Sequence, residues 1–165
     1  MQTSDAGKQL IKVFEGVHRR PYLCPAVLWT IGVGRVLYPE QNKLKVPERK
    51  AYPLKPEHDK EWTDEAIDLL FDADLLKFES GVLRLCPDSI ASQSQFDALV
   101  AFSFNCGLGA LQASTLRRLY NAGDIAGAAE EFVKWNKAAG QVLPGLTRRR
   151  LAEQSLFMSG SPAAT

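Results

Sequence analysis

Residues 14–37 read FEGVHRRPYLCPAVLWTIGVGRVL, and the change of hydrophobic period inside this stretch decides the fold class. Upstream of it, Ala6, Leu10, Ile11 and Phe14 recur at helical spacing, which predicts a helix from Ser4 or Asp5 to Glu15 with Gly16 as its stop. From Pro21 to Leu37 the pattern is different: Tyr22, Val27, Trp29, Ile31, Val33 and Val36 are aromatic or β-branched, and Pro25, Gly32 and Gly34 punctuate them. Such a run predicts short antiparallel strands joined by turns, a small sheet following a helix.

Beyond the sheet, residues 38–62 hold four of the nine prolines and eleven charged side chains, and read as a solvated loop or irregular hairpin. Thr63 then caps a helix expected to run to about Leu85, with Asp64 and Glu65 in its first turn. Ile67, Leu70, Phe71, Leu75, Phe78, Val82 and Leu85 fall on one stripe, and about 22 residues make a rod of about 33 Å, long enough to join two lobes. Asp74 interrupts that stripe. A carboxylate facing a core is costly unless paired, so a cationic partner is expected. The remainder reads as entirely helical: Ser92 with Gln95 as a capping box ahead of Phe96, Leu99, Val100 and Phe104, then Leu111 to Tyr120, Ile125 to Trp135, and Pro144 to Phe157. Ser159 to Thr165 reads as a frayed tail.

The chain has 165 residues, 45% hydrophobic and 24% charged, an ordinary globular composition that excludes collagen, low-complexity disorder and disulfide scaffolds. A formal charge of +1 provides no global field toward nucleic acid or membrane, and no nucleic-acid partner is expected. Cys24, Cys86 and Cys106 are odd in number and lack metal-ligand spacing, so neither a disulfide framework nor a metal site nor any cofactor is expected. No stretch has the pattern of a signal peptide or the length of a membrane span.

Among candidate functional residues, Glu15 comes first. It sits at the negative end of its helix dipole and beside Phe14, and both surroundings favour the protonated acid that a general acid catalyst must be. On local grounds a solvated glutamate on a fraying turn competes equally. Cys24 and Thr30 follow nine and fifteen residues later, where taken singly a buried thiol and an ordinary strand threonine explain them. Arg148, Arg149 and Arg150 open the last helix and point in different directions, so at least one of them is expected to face water.

Taken together, Phe14-Glu15-Gly16, Tyr22, Cys24 and Thr30-Ile31-Gly32-Val33-Gly34 resemble the T-even-phage type of endolysin, the phage lysozymes of glycoside hydrolase family 24. In that family a Glu, then eight residues, an Asp or Cys, then five residues and a Thr form the catalytic set. The resemblance continues through Ala98-Leu99-Val100-Ala101-Phe102-Ser103-Phe104-Asn105-Cys106-Gly107, Ser114-Thr115-Leu116, and Leu143-Pro144-Gly145-Leu146 before the arginines. It implies an α+β, mainly helical, lysozyme-like two-lobed fold in a single domain over 1–165: a small N-terminal antiparallel sheet lobe (15–62), a long connecting helix (63–86), and a helical C-terminal lobe (87–158) on which the helix 4–15 packs, with a cleft between the lobes.

The resemblance also implies a reaction, hydrolysis of the β-1,4 bond between N-acetylmuramic acid and N-acetylglucosamine in peptidoglycan. Glu15 would protonate the leaving oxygen, Cys24 would replace the second carboxylate as thiolate base or nucleophile, and Thr30 would hold the water or the thiol. Val36, Phe104, Asn105 and Thr115 match positions lining the sugar cleft, and one of the three arginines would lie beside Glu15. The implied partners are peptidoglycan glycan strands, with a holin for access to the wall. A monomer is expected, held in the host cytoplasm until its release.

Two departures stand out. The turn after Cys24 reads Pro25-Ala26-Val27-Leu28 where the family has a glycine, and Arg35 stands where the family has a His that pairs with the Asp matched by Asp74, which makes Arg35 the expected partner of that carboxylate. The competing readings are a lytic transglycosylase, which needs no positioned water and leaves an anhydro-muramyl end, and a catalytically dead wall-binding module.

Overall fold

A computed structural model describes residues 1–160; the expected tail therefore lies outside the described residues from position 161 onward, and Ser159 still belongs to a helix. The described chain is mainly helical with small antiparallel sheets, and it forms two compact units. One comprises 15–74, the other 1–14 with the chain from Leu75 onward, so the division falls inside the long helix.

In the first unit, β1 (His18–Leu23), β2 (Trp29–Gly32) and β3 (Arg35–Val36) form one antiparallel sheet in sequence order. Tyr22 pairs with Thr30 and Leu23 with Trp29, while a bulge between His18 and Tyr22 accommodates Pro21, which has no N–H for a ladder. Thr30 pairs with Val36 across the other edge, and Gly32-Val33-Gly34 turns the chain with both glycines at positive φ. The long helix α3 (Asp64–Leu85) packs Ile67 against Gly32, where a Cβ would sit 3.2 Å from its methyl. Thr63 Oγ1 accepts from the Ala66 N–H at 3.2 Å and starts α3 where the sequence predicts.

The expectation of a solvated connection over 38–62 holds for most of its side chains, but the segment is more structured than a loop. This segment carries a 3-10 turn, Pro39–Lys43, and the short helix α2, Val46–Lys50, and it buries Tyr38 and Gln41. Composition does not reveal this order because it rests on two isolated side chains rather than on an apolar stripe. Gln41, fully buried, accepts from the Trp29 N–H at 3.0 Å and donates to the carbonyls of Val27 and Arg49 at 3.2 and 3.0 Å.

In the second unit, α1 (Asp5–Glu15) lies against α4 (Gln93–Cys106) so closely that a Cβ on Gly7 would sit 2.8 Å from the Asp97 side chain. The residues before α1 are tied down by two buried carboxylates. Thr3 donates from its N–H and its hydroxyl to Glu79, both at 2.7 Å, and Ser4 does the same to Asp97 at 3.0 and 2.5 Å. Helix α4 is buried almost throughout from Gln95 to Ser103 and forms the centre of this unit, with α8 (Pro144–Ser159) packed along it. The Ser92 side chain accepts from the Gln95 N–H, whereas the Gln95 amide turns inward and accepts from the Tyr120 hydroxyl at 3.0 Å.

Three further expectations fail locally. The helix expected over Leu111 to Tyr120 is two helices, α5 (Leu108–Ala113) and α6 (Thr115–Asn121), because Ser114 Oγ donates to the Leu111 carbonyl and accepts from the Arg117 N–H, capping a new start. The stretch from Ile125 to Trp135 is α7 (Ile125–Glu131) and a 3-10 turn, Phe132–Lys134. The C-terminal part is also not wholly helical. Lys137–Ala138 (β4) and Gln141–Val142 (β5) form a small hairpin around Ala139-Gly140, both at positive φ, a turn in which only the glycine is a sequence signal.

Candidate active site

Glu15 is the last residue of α1, and Gly16 at φ +77° ends the helix directly after it, so the carboxylate sits at the helix end. Its Oε2 lies 3.8 Å from the position a Cβ on Gly34 would take, over the β2–β3 turn. Thr30 is 3% exposed on β2, and its hydroxyl donates to the Leu28 carbonyl at 2.9 Å. Cys24 follows β1, and its N–H donates to that same carbonyl at 3.0 Å, closing the hairpin.

The turn over 24–28 takes the form its sequence disfavours. Val27 occupies φ +60°, a conformation that glycine adopts freely and a β-branched residue reaches only under strain. The turn thus lacks the glycine that the resemblance leads one to expect, yet takes a conformation that glycine adopts freely. The reward of this shape is at Cys24. Burial pushes the thiol up, but hydrogen bonds from the Leu28 backbone, the Thr30 side chain and the Ala26 backbone outweigh it and hold the thiol below its ordinary range. A hydroxyl carries one proton, so Thr30 donates to the Leu28 carbonyl while Cys24 is a thiol and can turn that proton toward the sulfur once the thiolate forms.

Tyr22 joins this neighbourhood. Its phenol is pushed up by burial and then by the negative charges of Cys24 and Glu15, which places all three groups in one field. The strand pattern marks Tyr22 only as a β former; its ring stacks on His18 with centroids 4.0 Å apart. Val36 is half-buried next to Thr30 in the sheet register. Arg35 Nη1 donates to Asp74 Oδ1 at 2.8 Å and to the Leu70 carbonyl at 3.4 Å. With side chains 37% and 29% exposed, this pair is half-buried rather than sealed, and contributes on the order of 1 kcal/mol.

The other named positions lie in the second unit. Phe104 is half-buried against Phe78, ring centroids 5.1 Å apart, and Thr115 is exposed at the start of α6. Asn105 is exposed, its Oδ1 accepts from Arg150 Nη2 at 2.9 Å, and it lines a pocket of about 420 Å³ with Cys106, Lys134, Trp135, Lys137 and Leu146. The three arginines separate as their spacing requires. Arg148 faces water, Arg149 is buried with its guanidinium 5.7 Å from the centre of the Phe14 ring, and Arg150 is fully buried. Among the described residues, no three or more His, Cys, Asp or Glu side chains cluster as metal ligands would.

A mainly helical chain with small antiparallel sheets is the lysozyme class of fold, and the phage lysozyme family model matches residues 12–153. The chain belongs to that family. It is 39% identical over 162 residues to an endolysin of Bacillus phage B103, covering 97% of this chain and 55% of that relative, and 32% identical over 163 residues to an endolysin of Acyrthosiphon pisum secondary endosymbiont phage 1, covering 96% and 99%. The chain thus spans little more than half the length of the Bacillus phage relatives it matches. Among solved structures, the endolysin of Escherichia coli O157:H7 phage FAHEc1 superposes with a TM-score of 0.77 at 30% identity over 99% of this chain and 98% of that one. The muramidase domain of SpmX from Asticaccaulis excentricus gives 0.73 at 33%, covering 98% and 99%.

Proposed function

We propose that the chain is a peptidoglycan-hydrolysing endolysin of the glycoside hydrolase family 24 type, cleaving the β-1,4 bond between N-acetylmuramic acid and N-acetylglucosamine. The carrying observation is the environment of Cys24: a thiol held toward its charged form by the Thr30 side chain and three backbone amides, in the field that also contains Glu15. In this reading Glu15 protonates the departing glycosidic oxygen, the Cys24 thiolate takes a proton from the water that attacks the anomeric carbon, and Thr30 holds the sulfur in place. The names of the relatives, endolysins and a muramidase domain, support the substrate class.

The test is hydrolysis of purified peptidoglycan. Glu15→Gln should lower turnover by a factor of 10² or more while the fold is retained, because a neutral isostere donates no proton. Cys24→Ala should lose activity and Cys24→Asp should retain it. New reducing ends identify hydrolysis, and anhydro-muramyl ends without reducing ends would replace this reading by a transglycosylase. A glycosyl adduct trapped on Cys24 would move the thiol from base to nucleophile.

A further inference from the structure

The 38–62 segment does more than connect, because two of its side chains end on the turn that carries Cys24. Gln41 Nε2 donates to the Val27 carbonyl at 3.2 Å, and Arg49 Nη1 donates to the Ala26 carbonyl at 3.0 Å. Neither donor is loosely held. Gln41 is fully buried and anchored to Trp29 and Arg49, and Arg49 also donates to the carbonyls of Leu44 and Asn42, both at 2.9 Å.

Peptide geometry converts that grip into an effect at the sulfur. In a planar trans peptide the C=O and the following N–H point in opposite directions. Fixing the Val27 carbonyl on Gln41 therefore fixes the Leu28 N–H on the other side, facing Cys24, whose own N–H donates to the Leu28 carbonyl at 3.0 Å, and the Leu28 backbone is the strongest of the influences that lower the thiol. Fixing the Ala26 carbonyl on Arg49 likewise orients the Val27 N–H, which donates to the Cys24 carbonyl at 2.7 Å and closes the turn. The same two contacts hold Val27 at φ +60°, where a β-branched residue would not stay unaided.

We propose that Gln41 and Arg49 are positioning residues of the catalytic hairpin: by gripping the carbonyls of Val27 and Ala26 they aim the Leu28 N–H at the Cys24 sulfur. The proposal rests on the catalytic reading of Cys24 only for its consequence in turnover. Tyr22 and Glu15 are the ionisable groups whose charge the site shares with Cys24, and neither is touched by the two contacts.

The experiment measures the rate of Cys24 carbamidomethylation against pH by peptide mapping in the full chain, alongside turnover on purified peptidoglycan. In Gln41→Ala and in Arg49→Ala the midpoint of the Cys24 profile should move up by roughly half a pH unit or more, toward that of a free thiol near 8.5. Turnover at neutral pH should fall several-fold with KM kept. Tyr52→Phe, which loses a hydrogen bond to Glu40 on the same segment but none to the turn, should match the parent in both. If Gln41→Ala does not fold, Arg49→Ala, whose contact is at the surface, decides the question. An unmoved midpoint in the folded variants overturns the proposal. Full activity in Cys24→Ala would instead remove the catalytic role of the thiol and leave the midpoint to decide the positioning role alone.

Discussion

Val27 and the three cysteines show what single residues contribute. A valine at φ +60° costs about 1–3 kcal/mol, while glycine there loses backbone entropy of roughly 0.5–1 kcal/mol on folding. Val27→Gly should therefore leave stability unchanged or raise it by up to about 2.5 kcal/mol, measured by urea unfolding; a loss above 1 kcal/mol would show that the side chain packs better than its half-burial indicates. The thiols differ with their surroundings. Cys24 is held low by hydrogen bonds, Cys106 is pushed up mainly by burial, and Cys86, fully buried, is pushed up to about 12. Since the thiolate is the reacting species, a lowered value means reactivity appearing at lower pH. Iodoacetamide at pH 7 should label Cys24 first, Cys106 slowly and Cys86 only on unfolding, as read by mass mapping.

At the scale of elements, α1 carries Glu15 and its seating depends on a glycine. At Gly7 a Cβ would meet Thr3 Cγ2 at 2.7 Å and the Asp97 side chain at 2.8 Å, so Gly7→Ala should destabilise by about 1–3 kcal/mol and lower turnover with it. Gly109, inside α5, has nothing within 4 Å of that position, so Gly109→Ala should stabilise by about 0.5–1 kcal/mol through helix propensity alone. Chemical denaturation of both variants separates crowding from propensity, and a neutral Gly7→Ala would mean α1 can shift on α4 without penalty. The helix breaks make the related point that one side chain can override a pattern. Apolar periodicity runs through Leu111, Leu116 and Tyr120, yet Ser114 spends its hydroxyl on two backbone groups and divides the run into α5 and α6.

Across the whole molecule, the unit containing the C-terminus is tied together by buried charge as well as by apolar packing. Arg150 donates to Glu153 and Asn105, each at 2.9 Å, and to Cys106 Sγ at 2.7 Å, with its guanidinium 5.2 Å from the Phe102 ring centre, joining α8 to α4. Glu153 also accepts from Arg149 at 3.2 Å. Removing one side of a fully buried pair strands the other, so Glu153→Ala should cost about 3–5 kcal/mol in urea unfolding. A cost under 1 kcal/mol would mean water reaches Arg150.

The amino-acid sequence by itself determined the helix ending at Glu15, the change of period into a short sheet, the span of α3 from its Thr63 cap to Leu85, and the motif order that marks the phage lysozyme family. These rest on local periodicity, capping and spacing, which neighbours along the chain specify. Only the tertiary structure decided that 38–62 is ordered, that Val27 takes a glycine's conformation, and that Gln41 and Arg49 meet the Cys24 turn. Each of those depends on a polar side chain satisfying backbone groups many residues away, and such a contact leaves no periodicity in the chain to read.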